Sequence, residues 1–226
     1  MSALTSLRNA VTALKPDPPV ARRLVQLYTG LVLYGVSSSM LLLGGLGVDP
    51  WDVFHQGLSR RLGLGVGTWA LIVSGAVLLL WIPLRQRPGF GTISNAILVG
   101  LVIDAMLAAF HGPHALILRW LLMLGGVLVN GIATGCYIGA GLGPGPRDGL
   151  MMGLAARGHQ IRVVRTCIEL VVFAVGWALG GNVGLGTVVY AISIGPLAHF
   201  FVPALAIDRR PSSSSPLAAE PGRPSS

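Results

Sequence analysis

The chain has 226 residues, of which 53% are hydrophobic and 11% charged, with a mean hydropathy of +0.72. Soluble domains carry about 25% charged residues, so this composition excludes an ordinary water-soluble domain and makes lipid the main solvent. The net charge of +8 would suggest nucleic acid in a soluble protein. Here the basic residues fall in short loops between apolar stretches, where they report orientation, and no nucleic-acid partner is expected.

In chain order, residues 1–20 and 208–226 are rich in Pro, Ser and charge and read as disordered cytoplasmic tails. The first twenty residues lack an apolar core, so no cleavable signal is expected there. A single membrane domain is expected over 21–207. It contains apolar windows at 24–46, 64–84, 91–110, 116–140, 163–181 and 184–207, each near the twenty residues that cross about 30 Å of hydrocarbon as a helix. The windows are continuous and lack the alternation of barrel strands. The fold class is therefore all-α, a polytopic bundle of six transmembrane helices.

After the first window comes Gly45-Leu46-Gly47-Val48-Asp49-Pro50-Trp51-Asp52. It opens a segment, 49–62, that is too short to span. Trp51, Phe54, Leu58 and Leu62 share one helical face, and Asp52, Gln56 and Ser59 another. The segment is either an interfacial helix anchored by Trp51 and capped by Asp52, or a re-entrant helix lining a site. Gly89-Phe90-Gly91-Thr92 precedes the third window, with Thr92 as a helix cap. Asp104 lies about thirteen residues into that window, where a bare carboxylate costs about 3 kcal/mol. It is either a functional group or a carboxylate bonded to a neighbour for packing. Asn130 sits near the middle of the fourth window, as an interhelical hydrogen-bonder or a substrate contact. Gly125, Gly126, Gly131 and Gly135 on the same window let backbones approach closely.

The next loop, Gly141-Leu142-Gly143-Pro144-Gly145-Pro146-Arg147-Asp148, opens a second short segment, 145–157, with Asp148 in the cap position. Arg165 and Glu169 are four residues apart at the start of the fifth window and are expected to pair. Gly184-Leu185-Gly186-Thr187 precedes the sixth, which contains His199, either a bonded interior histidine or a proton relay. Cys136 and Cys167 lie in apolar stretches without ligand spacing, so neither a disulfide nor a metal site is indicated. The Gly-x-Gly-Thr turns follow no strand and carry no Walker lysine, so they are not phosphate loops.

The two Gly/Pro loops recur at an offset of 96 and the two Gly-x-Gly-Thr turns at 95. The chain is therefore expected to consist of two three-span repeats, 24–110 and 116–207, each with one short interfacial or re-entrant helix. Three crossings is an odd number, which inverts the second repeat relative to the first. Alternate segments hold 13 and 3 basic residues, so both termini are expected in the cytoplasm by the positive-inside rule.

These blocks together resemble the YczE/YyaS/YitT group of bacterial membrane proteins, and within it the YczE-like branch. The resemblance runs over roughly residues 22–206. It is carried by residues 47–59, by Pro88 to Thr92 with Asn95 and Asp104, by Gly143 to Met151, by Arg162 to Glu169 and by Gly184 to Thr187. Asp49 departs from the pattern, standing where a small residue is expected. The resemblance implies a multi-pass protein of the bacterial inner membrane and no agreed activity.

Inverted repeats are common in secondary transporters, with the substrate site at the repeat interface near the midplane. The leading expectation is a small-solute transporter or permease. Its site lies between the Asp52 and Asp148 segments, with Trp51, Gln56, Asp104, Asn130, Arg147 and His199 as further contacts. The alternative is a non-transporting accessory or scaffold of an envelope or secondary-metabolite system. An enzyme is not expected, because Asp52 and Asp148 should lie near opposite membrane faces, too far apart for an aspartyl pair. No cofactor is implied, and the expected partners are membrane lipids and an unidentified small solute.

Overall fold

A computed structural model describes residues 20–207. The tails expected at either end fall outside the described residues, except Val20, which opens the first helix. Eight helices and no strand are present among the described residues: α1 (Val20–Gly44), α2 (Pro50–Leu62), α3 (Val66–Leu84), α4 (Phe90–Ala109), α5 (Leu116–Gly139), α6 (Pro146–Ala155), α7 (Ile161–Ala178) and α8 (Leu185–Ala204). Five of them, α1, α3, α4, α5 and α8, are long and apolar enough to cross a membrane. The 18-residue α7 carries Arg162, Arg165 and Glu169 and is not among the five.

The distribution of side chains is that of a protein solvated by hydrocarbon. Leu79, Leu80 and Ile82 on α3, Ile117 and Leu121 on α5, Leu170 and Val171 on α7, and Ile192 on α8 all face outward, whereas Ser37, Ser38, Ser39 and Asn130 are buried. Without water outside, association depends on close packing and interior hydrogen bonds. Helices α1 and α5 form the central pair. A Cβ on Gly30 would stand 2.7 Å from the Tyr137 nitrogen, and Ser37 Oγ donates to the Gly126 carbonyl at 3.0 Å. Helix α4 packs on α1 and α8 on α5, while α2 packs on α7 and α3 on α6.

The short helices begin where local chemistry dictates. Pro50 and Pro146 occupy the first helical turn, where proline's missing N–H costs nothing. The side-chain cap of α2 is Asp49, which accepts from Trp51 N at 2.9 Å and Asp52 N at 3.2 Å. This corrects the expectation that Asp52 caps the helix. Helix α6 begins at Gly145 with no side-chain cap, so Asp148 does not cap it either.

Each loop is held by the glycine turn of the other half. Gly186 N donates to the Leu46 carbonyl at 2.8 Å, and Gly91 N donates to the Leu142 carbonyl at 2.9 Å. Gly47 and Gly143 have φ of +115° and +130°, which L side chains rarely adopt. A Cβ on Gly47 would stand 2.6 Å from Thr187 Oγ, and one on Gly143 2.8 Å from Thr92 Oγ. Thr92 Oγ accepts from Gly89 N at 3.2 Å and donates to the Pro144 carbonyl at 2.7 Å. Thr187 Oγ lies 3.5 Å from Gly184 N.

The two ends of the bundle differ. Helices α3 and α4 are in close contact: a Cβ on Gly67 or on Gly100 would collide with the other's carbonyl oxygen. Asp104 of α4 accepts from Gly67 N and Thr68 N, both at 2.7 Å, and from Thr68 Oγ at 2.6 Å. It therefore caps the start of α3. Helices α7 and α8 share almost no packing, and Gly195, at the repeat position of Gly100, has nothing within 4 Å of its Cβ direction.

Candidate functional site

The starts of the two short helices meet. Arg147, the second residue of α6, places Nη1 3.7 Å from Asp49 Oδ1 and its guanidinium carbon 4.9 Å from the centre of the Trp51 ring. A guanidinium over an aromatic face is favoured by the ring quadrupole, more so where water is excluded. Asp49 is 3% exposed and Asp52 1%. Buried charge is tolerated only when paired, and Arg147 provides that pairing. One turn into α2, His55 Nδ1 lies 3.2 Å from Asp52 Oδ1. Burial first, and then the nearby guanidinium of Arg147, push His55 down to about 3. The imidazole is therefore neutral, and its Nδ1–H donates to Asp52.

Three tyrosines complete the surroundings. Tyr137 Oη donates to Asp148 Oδ2 at 2.6 Å, and its ring meets Tyr34 edge-on at 6.0 Å. Tyr190 Oη donates to Asn130 Oδ1 at 3.1 Å. Together these groups border a chamber of about 270 Å³ lined by Tyr34, Asp49, Trp51, Arg147, Asp148 and Tyr190, with Arg165 and Glu169 at its α7 side. A smaller cavity of about 50 Å³ lies toward α3 and α4, lined by Ser74, Asn95 and Tyr137. Tyr34, Arg147 and Asp148 line both, so they form the partition between them. Not every polar atom is satisfied: Asp49 Oδ2, Asp52 Oδ2, His55 Nε2 and Asn130 Nδ2 are buried without a partner.

The residues singled out in the sequence are distributed unevenly about this chamber. Trp51, Arg147 and Asp148 line it. Asp52 lies behind Asp49, bonded to His55, and Asn130 reaches the chamber through Tyr190. Arg165 Nε and Glu169 Oε1 pair at 2.9 Å on its edge. Gln56 points elsewhere, with Oε1 accepting from Asn182 N at 2.6 Å. Asp104 caps α3, and His199 is exposed on α8 and lines neither cavity.

Asp49, His55 and the three tyrosines belong to the site without having been singled out. Asp49 carried a signal, its departure from the family pattern. The tyrosines carried little, since an aromatic in an apolar window reads as packing.

A family model described as a family of unknown function, DUF6198, matches residues 21–203. An uncharacterized protein of Haemophilus influenzae is 40% identical over 177 residues, covering 78% of this chain and 81% of that one. The uncharacterized membrane protein YczE of Bacillus subtilis is 36% identical over 183 residues, 78% of this chain and 83% of that one. The uncharacterized protein YyaS of the same organism is 28% identical over 181 residues, 77% of this chain and 89% of that one. The resemblance to the YczE group drawn from the motifs is thus met. No solved structure matches the chain.

Proposed function

Since the chain belongs to DUF6198, a family of unknown function, we propose its activity from the site itself: a small-solute permease whose substrate occupies the chamber between the short helices. The chain is a multi-pass membrane protein, as its apolar helices and its membrane-protein relative indicate. The observation that carries the reading is the chamber itself, about 270 Å³ of space bordered by Asp49, Arg147, Asp148 and Tyr190 inside a bundle whose exterior is apolar. Ionisable groups within a membrane bundle are costly and mark substrate or ion pathways.

The permease reading takes the chain as two inverted three-span repeats. Long, short, long, long is the helix order in residues 20–109 and again in 116–204. The reciprocal loop-to-turn bonds of Leu46 with Gly186 and Leu142 with Gly91 are what a pseudo-two-fold relation would produce. Helix α7 then serves as the sixth crossing, its Arg165 and Glu169 mutually paired. With both termini on the cytoplasmic side of the bacterial inner membrane, the two short segments start from opposite faces, about 30 Å apart. The 3.7 Å approach of Arg147 to Asp49 supports a re-entrant reading of both, because flat interfacial helices on opposite faces cannot touch. No nucleotide-binding motif is present in the sequence, so any coupling would be to an ion gradient or to partner proteins.

The test is a comparison of small molecules inside and outside cells of a deletion strain, with the gene restored as wild type, Arg147→Ala or Asp148→Ala. A solute whose distribution follows the wild-type gene and is lost in both variants supports the permease. Full restoration by both variants would sink it.

A further inference from the structure

We propose that the chamber receives the head of an amphipathic amine that enters sideways from the bilayer between α7 and α8. The inference rests on the permease reading and names the chemical class of its substrate. A second cavity, about 320 Å³, lies beside the chamber and is lined mainly by Thr166, Leu170 and Phe173 of α7 and Val188 and Ile192 of α8. Pro50, Glu169 and Ala191 line both cavities, so the two adjoin and only these side chains stand between them. Leu170, Val188 and Ile192 are 60%, 55% and 70% exposed, which opens this gap to the surroundings of the bundle, and in a membrane those surroundings are acyl chains. The equivalent seam between α3 and α4 is shut by the contact of Gly67 with Gly100 and by Asp104 bonded across it. One end of the bundle is sealed against lipid and the other is not.

The charge of the occupant follows from what is already paired. Both guanidiniums facing the chamber have carboxylate partners, Arg147 with Asp49 and Arg165 with Glu169. The carboxylates are in excess: Asp49, Asp148 and Glu169 line the chamber, and Asp52 stands directly behind. Asp49 is 3% exposed and its Oδ2 has no hydrogen-bond partner. Once Asp49 is ionised, an acceptor left unpartnered at that depth is costly and calls for a donor, which an ammonium supplies with a charge of the right sign, displacing the proton that the buried carboxyl otherwise holds. An anionic head would instead have to displace a carboxylate from an arginine. The apolar body of the ligand would lie in the α7–α8 gap, against Leu170, Phe173 and Ile192.

The experiment uses the full chain in nanodiscs and isothermal titration with three probes, after subtraction of empty nanodiscs. These are 4-phenylbutylamine, 4-phenylbutyrate with the same body and opposite head, and methylamine with the head alone. The amine should bind saturably and about tenfold or more tighter than the acid, as expected for one charge-assisted hydrogen bond gained or lost. Methylamine should not saturate. Asp49→Asn keeps a good helix cap and should weaken the amine by about tenfold, and Glu169→Gln should weaken it less, while 4-phenylbutyrate gains on both. Ala191→Phe, which puts bulk where the two cavities adjoin, should weaken 4-phenylbutylamine.

Preference for the acid, equal binding of methylamine, or no effect of both Asp49→Asn and Ala191→Phe overturns the proposal. Saturable amine binding without flux in proteoliposomes leaves this assignment standing and removes the permease. Flux of a polar solute without amine binding does the reverse.

Discussion

Replacing Asp104 separates a structural from a transporting carboxylate. Its two oxygens accept three hydrogen bonds, from Gly67 N, Thr68 N and Thr68 Oγ, at 2.6 to 2.7 Å. The two backbone donors belong to the first turn of α3, where no intrahelical acceptor exists. A hydrogen bond to a charged group contributes about 1.5–3 kcal/mol net, and a lost N-cap costs about 0.5–2. Asp104 is only half-buried, so water replaces part of what Asp104→Ala removes, and the total cost is about 3 kcal/mol. For a chain of this size that lowers the melting temperature by about 6–12 °C. Asp104→Asn keeps one acceptor oxygen and should lose about half as much. The assay is thermal unfolding of the purified protein in one detergent, followed by circular dichroism. If Asp104→Ala melts with the wild type but loses solute distribution in cells, the capping argument is refuted and Asp104 belongs to the transport path.

Gly47→Ala and Gly143→Ala should each destabilise by about 2 kcal/mol or more in the same melt, through positive φ and a blocked Cβ direction; Gly75→Ala, with open space around it, should not. Burial, and next the neighbouring Asp52, push Asp49 up to about 7 against the opposing pull of Arg147. A carboxyl whose folded-state value is raised holds its proton more tightly when folded. The contribution of Asp49 to stability should therefore be greatest at low pH and fall as pH rises from about 4 to about 7, a component of the slope that Asp49→Asn should remove; an unchanged slope in that variant would contradict the assignment. Tyr137→Phe should destabilise by about 1 kcal/mol by leaving Asp148 Oδ2 without its donor, read as a lowered melting temperature.

The helices themselves were readable because a span, a short amphipathic segment and a glycine turn have different periodicities. The windows at 64–84 and 116–140 fall within two residues of α3 and α5. Helix α7 is the difficult one, since Arg162, Arg165 and Glu169 interrupt its apolar run. The site was less legible for a particular reason. Comparing the chain with itself highlights what both halves share, Asp52 with Asp148, whereas Asp49 aligns with Gly145. The unmatched acid is the one that caps α2 and meets Arg147. Likewise Asp104 and His199 share a repeat position but not surroundings. One is bonded across a closed seam and the other is exposed, a difference that only the packing of α3 and α7 determines.

The exchange of loops between the halves also fixes an order of events during synthesis. Leu46 is among the first residues to emerge after α1, yet the amide that occupies its carbonyl belongs to Gly186, about 140 residues later. At ordinary elongation speeds this is a wait of about 7 to 28 seconds. Throughout that interval the first half stands in the bilayer with an unpaired loop carbonyl and an Asp49 that has not yet met its arginine. A chain that stops after α4 leaves that carbonyl and that acid open to quality control, so the final helix completes the first turn as much as the last.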